Sequence, residues 1–135
     1  MQNEMDLSDL KLRTKAYALR MIRLVEALPR NRVTDIIGKQ LLRAATSVGA
    51  NYRAACRAKS PADFIAKMGI VEEEADESLY WVELLIESGL LMPDQCTEVV
   101  REGNQLVAIT VSSIKTARNH IRARNAEYKE RNQKS

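Results

Sequence analysis

From Phe64 to Ile86 the apolar residues Phe64, Met68, Val71, Ala75, Leu79, Val82 and Ile86 recur every three or four positions. That interval lines one side of an α-helix, which turns once in about 3.6 residues. The start of the run is marked just as clearly. Ser60 can cap the first turn, and Pro61 sits where a missing N–H costs nothing. Asp63 falls at the third helical position, in a shorter relative of the Ser-x-x-Glu box. Gly89 is a natural residue to follow the last turn. A helix this long with one apolar face needs partners to cover that face.

Three further runs supply them. Leu10, Thr14, Tyr17, Met21, Leu24 and Leu28 line a helix from about Asp9 to Leu28, which Pro29 stops. A second run from Val33 or Thr34 to Ala58 carries Ile36, Ile37, Leu41, Ala44, Val48, Tyr52 and Ala55, with Thr34 as the expected cap. Gly38 and Gly49 each lower its intrinsic propensity by about 1 kcal/mol relative to alanine. Its length argues for a helix that continues through them. A fourth run starts near Pro93 or Thr97 and shows Val99, Gly103, Leu106, Val107, Val111, Ile114, Ala117 and Ile121 on one face. Beyond Arg122 the stretch ARNAEYKERNQKS has no sustained stripe and is expected to fray. The ordered core is thus expected over about residues 7–122. Only five glycines and three prolines punctuate the 135 residues, too few for a sandwich or barrel. The expected fold is all-α: a single domain, an antiparallel up-and-down four-helix bundle.

The charge is segmented. Residues 30–59 hold seven bases and one acid, residues 60–90 one base and eight acids, and residues 98–135 eight bases and four acids. Neighbouring segments of opposite sign can complement each other within a chain or between chains. The net charge of +3 says little by itself.

Cys56 and Cys96 form no CxxC pair and read as small reduced side chains. The polar start MQNEMDLSDLKLR does not resemble a secretory leader, and no apolar run is long enough to span a membrane. A cytoplasmic protein without membrane attachment is the expectation.

No catalytic, cofactor or metal site is expected. The VEEEADE run lacks the Glu-x-x-His motif of a di-metal bundle, and His120, the one histidine, reads as a surface residue of a basic helix face. Neither a GxGxxG nor a P-loop run occurs. The basic residues are more informative. Lys39 and Arg43 are four apart, as are Arg53 and Arg57, with Lys59 close behind. Such cations can meet phosphate oxygens, or they can pair with the acidic band of the third helix. Lys115, Arg118 and Arg122, within the basic run 115–134, are a second phosphate candidate. Tyr52 and Trp81 could stack on bases but suit packing equally well.

DLKLRTKAYALRMIRLVEALP, followed by IGKQLLRAATSVGANYRAACRAKSPADFIAKMGIVEEEADESLYWVELL, resembles the four helix bundle protein family, also called 23S rRNA-intervening-sequence or S23-like proteins. QLLRAATSVGANYRAA is the most specific part, and the likeness spans roughly residues 7–121. It implies a cytoplasmic bacterial bundle similar to the accessory proteins of diversity-generating retroelements, which form homopentamers and associate with nucleic acid and a reverse transcriptase. A homo-oligomer follows from the resemblance, with the pentamer as first choice. The matching polar positions are Gln40, Arg43, Ser47, Asn51, Arg53, Glu73 and Glu74. Many relatives carry an acid after the arginine of the Asn-Tyr-Arg step, whereas Ala54 stands here, so a contact made by that carboxylate is absent or replaced. No catalytic residue carries over.

Two readings stay open. One is a non-enzymatic oligomeric bundle that binds RNA or DNA through basic surfaces. The other is a structural or protein-interaction module, in which the arginines pair mainly with Glu73, Glu74 and Glu77.

Overall fold

A computed structural model describes residues 7–134 as four helices: α1 (Leu7–Glu26), α2 (Arg32–Cys56), α3 (Pro61–Glu87) and α4 (Pro93–Lys134). The first six residues, which open the polar stretch MQNEMDLSDLKLR, lie outside the described residues. No described helix is long and apolar enough to cross a membrane.

The links contain only five, four and five residues. Links so short cannot return the chain along a helix about 30 Å or more in length, so successive helices run antiparallel. Each helix packs on its neighbours in sequence, and α4 closes back on α1.

The helix ends follow local chemistry. The cap of α2 is Asn31 rather than Thr34. Asn31 Oδ1 accepts from the Thr34 N–H at 3.0 Å, and the Thr34 hydroxyl accepts from the Asn31 N–H at 3.0 Å. Thr34 is therefore the third helical residue of a reciprocal box. At α3, Ser60 Oγ accepts from the Asp63 N–H at 3.0 Å, and Asp63 Oδ2 reaches back to the Lys59 N–H at 3.0 Å. The Lys67 ammonium and that N–H hold the Asp63 carboxyl below its ordinary range. After α3, Gly89 takes φ +80, the left-handed conformation that glycine reaches most easily. The Gly89 N–H then bonds the Ile86 carbonyl and the Leu90 N–H that of Leu85, closing a Schellman turn.

The core holds Leu10, Tyr17, Met21, Leu41, Val48, Tyr52, Met68, Val71, Val82, Leu85, Val99, Leu106 and Ile114. Two stripe residues face solvent. Ile36 and Val111 are 59% and 45% exposed, because each lies at the edge of its helix's apolar sector. Ser78 and Thr110 are buried instead, and their hydroxyls bond the Ala75 and Leu106 carbonyls on their own helices. Cys96 is buried and Cys56 half-buried, both as free thiols.

Tyr17 is fully buried, with its hydroxyl 2.7 Å from Ser78 Oγ. Ser78 spends its proton on Ala75, so Tyr17 donates to Ser78. Burial pushes the Tyr17 phenol from 10.0 up to about 12. Because the folded value is the higher one, this group's stabilising contribution is complete below pH 10 and is lost as pH rises toward 12. In a tyrosinate absorbance titration, Tyr17→Phe should remove a component that titrates near pH 12 or only on unfolding. Loss of a component near pH 10 would contradict this.

The α1–α4 contact is the slightest of the four and is stitched by polar groups. Arg13 grips Glu102 through Nε at 3.0 Å and Nη2 at 2.8 Å, and Nη2 also reaches Gln105 Oε1 at 2.9 Å. Hydrogen bonding to Glu102 raises the guanidinium pKa.

The far end of α4 departs from expectation. It stays helical to Lys134 instead of fraying after Arg122. Good helix formers and two i,i+4 pairs, Glu127–Arg131 and Glu130–Lys134, replace the missing apolar stripe.

Candidate nucleic-acid interface

The cations of α2 divide between its two flanks. Arg43 turns toward α3. Its Nη1 lies 3.2 Å from both oxygens of Glu74, its Nη2 donates to Glu77, and its Nε donates to Gln40 Oε1 at 3.2 Å. Glu77 also accepts from the Trp81 indole N–H at 3.0 Å. That indole and the guanidinium together hold the Glu77 carboxyl below its usual range, while hydrogen bonding to Glu77 raises the Arg43 pKa. Ser47 Oγ donates to the Arg43 carbonyl and Asn51 Nδ2 to the Ser47 carbonyl, so both are spent on their own helix. Glu73 takes no part. It is exposed on the outer side of α3, and no ion pair joins it to a cation among the described residues.

Arg53 turns the other way, toward α1. It lines a groove of about 380 Å³ with Lys11 and Lys15, over Leu12, Ala18 and Ala50. No acid lines this groove, and no ion pair engages its three cations among the described residues. Small residues shape the seam. A Cβ on Gly49 would stand 3.1 Å from Thr14 Oγ1, so glycine lets the two helices meet closely. Lys11 and Lys15 escape sequence reasoning because nothing in α1 alone shows which side faces α2. Their four-residue spacing was the available signal.

Lys39 is exposed at the other end of the same seam, in a groove that also holds Arg30, Glu26 and Asp35. Its surroundings are thus of mixed sign. Arg57 and Lys59 are exposed at the α2–α3 link, where the Arg57 N–H caps α2 and the Lys59 N–H serves Asp63. Lys115, Arg118 and Arg122 line a groove of about 420 Å³ on α4 with Glu72, Val111 and Asn119. No ion pair joins Glu72 to these cations among the described residues.

Tyr52 is 2% exposed, which excludes it from base stacking in this conformation. Trp81 is half-buried, edge-on to Tyr80, with ring centroids 5.2 Å apart. His120 is exposed, as a basic surface position should be. Among the described residues, no three His, Cys, Asp or Glu side chains gather around a common point.

Fold and surface define a class: a four-helix bundle with cations sorted into an ion-paired seam, a groove that no acid lines among the described residues, and a basic α4. A model of the 23S rRNA-intervening sequence protein family matches residues 8–112, and the chain belongs to that family. The chain is also similar to a crystal structure of a protein of unknown function from the S23 ribosomal protein family, from Bacteroides thetaiotaomicron VPI-5482. The two are 35% identical with a TM-score of 0.73, and the match covers 78% of this chain and 97% of that one. No protein of curated function matches.

Proposed function

We propose that this protein is a non-enzymatic, cytoplasmic bundle that assembles with copies of itself and binds RNA or DNA through basic surfaces, without a cofactor. One observation carries the nucleic-acid reading. Lys11, Lys15 and Arg53 converge on one groove that no carboxylate lines among the described residues. Phosphate oxygens are ligands that such a set can take, and Ala18, Gly49 and Ala50 leave room for a backbone to approach.

The proposed assembly is a homo-oligomer, with a pentameric ring as the first form to test. Its support is physical. The outer side of α3 exposes Glu73, Asp76, Glu83 and Glu87 around Ile70 and Tyr80, opposite in sign to the basic segments. A contact between unlike faces is heterologous, as a ring requires.

The second reading, a protein-interaction module, finds its support at Arg43, whose partners are the carboxylates Glu74 and Glu77. Size-exclusion chromatography with light scattering, with and without structured RNA at two salt concentrations, separates the two readings. The proposal expects an oligomer that binds RNA at low salt and releases it at high salt. An oligomer that ignores RNA at both salts would favour the second reading, and a monomer would overturn the assembly.

A further inference from the structure

The last turns of α4 lie beyond the residues that the family model matches. The family match ends at residue 112, and the Bacteroides protein is covered almost whole by 78% of this chain. Yet α4 continues as helix to Lys134. Its last half-buried residue is Ile121, and every residue from Arg122 to Lys134 is exposed. The antiparallel register explains why. Leu79 meets Gly103 and Glu72 meets the stretch from Val111 to Arg118, so the first turn of α3 lies level with about Arg122. Beyond that level α4 projects from the bundle as an arm.

The arm is basic and ordered in its charges. Its projecting residues 123–134 hold four bases and two acids, and Lys115, Arg118 and Arg122 precede them on the packed part of α4. Lys115, Arg118, Arg122 and Lys129 fall within a narrow sector of the helix, since each lies near a whole number of turns from the next. The sector runs about 21 Å along the axis at about 1.5 Å per residue. Glu127, nine residues from Arg118, is on the opposite side, and both arm acids are paired within the arm, to Arg131 and Lys134 at 3.9 Å. Arg57 and Lys59 of the α2–α3 link belong to the same end of the bundle, adding to its positive field.

We propose that this arm is an added nucleic-acid-binding element, which lays its line of cations along the phosphates of a duplex. A duplex carries about one charge per 1.7 Å of axis, a density that such a line can follow. A membrane surface is a poorer fit, because interfacial helices bury a broad apolar face. Beyond Ile121 the arm offers one large apolar side chain, Tyr128.

The inference rests on the nucleic-acid reading, and the test tells their failures apart. The intact chain and its Lys115→Gln, Arg118→Gln, Arg122→Gln, Lys129→Gln variant are titrated with labelled duplex RNA and duplex DNA over a salt series. Glutamine keeps helix propensity, and circular dichroism checks helix content. The variant should bind at least about tenfold more weakly, with a salt dependence shallower by about two to four phosphate contacts and an unchanged melting temperature. A variant that binds within about twofold of the parent with the same salt slope overturns the arm while leaving the groove reading intact. Binding lost only on replacing Lys11, Lys15 and Arg53 does the same. A parent protein that binds neither duplex, or binds anionic vesicles instead, overturns both proposals.

Discussion

Gly103→Ala is expected to destabilise the bundle by about 1–2 kcal/mol, although alanine is the better helix former. A Cβ at Gly103 would stand 2.7 Å from Leu79 Cδ2 and 2.8 Å from the Tyr17 hydroxyl. Leu79 can rotate away. Tyr17 has less freedom, since it is fully buried and its hydroxyl is held by Ser78. Moving it sacrifices a buried hydrogen bond worth about 1 kcal/mol and disturbs packing, and overpacking costs about 1–3 kcal/mol. The gain in propensity returns at most about 1 kcal/mol. Gly103→Leu should exceed what the core can absorb and abolish cooperative melting. Gly69→Ala supplies the control. A Cβ there meets nothing within 4 Å, so the same exchange should raise the melting temperature. Thermal unfolding followed by circular dichroism reads all three, and equal signs for Gly69 and Gly103 would contradict the packing account.

The second large effect concerns binding. Replacing Lys11, Lys15 and Arg53 together by glutamine should leave the fold intact, because the cations line an exposed groove and engage no acid among the described residues. Each lost phosphate contact removes about 0.7–0.9 from the slope of log affinity against log salt. Three contacts therefore flatten it by about two to three, and affinity at low salt should fall by at least about tenfold. Fluorescence anisotropy with a labelled duplex measures both quantities. An unchanged slope would remove these residues from the interface.

Much of the fold was legible because it is written in local patterns. Ser60, Pro61 and Asp63 announce α3 without tertiary help, and they occupy the cap and first turn as expected. The SVGANYRAAC stretch proves to be the second half of α2, with the turn at its end. What stayed hidden depends on neighbours. Thr34 is the expected cap of α2, but its reciprocal bonding with Asn31 makes it the third helical residue and gives the cap to Asn31. Gly103 looked like an ordinary position on an apolar face, but its role is set by Tyr17, which arrives from another helix.

The site was half legible for a related reason. Spacing within α2 pairs Lys39 with Arg43 and Arg53 with Arg57, without saying which way each pair faces. Arg43 and Arg53 are ten residues apart, about 80° around the helix, enough to place them on different flanks. Which flank faces acidic α3 and which faces α1 depends on how the bundle closes, and no single-helix pattern encodes that. The persistence of α4 is hidden for a different reason. Its arm owes its helix to propensity and local pairs, whereas an apolar stripe reports only helices that are packed.

The central claim is that this sorting divides structural from ligand-facing cations. Parallel measurement of duplex affinity and melting temperature tests it most directly, on Arg43→Gln and on the Lys11, Lys15, Arg53 triple variant. The account predicts that Arg43→Gln lowers the melting temperature, because Glu74 and Glu77 lose their shared partner, while affinity holds. It predicts that the triple variant loses affinity while its melting temperature holds. The reverse pattern, with Arg43→Gln abolishing binding and the triple variant binding normally, would contradict it.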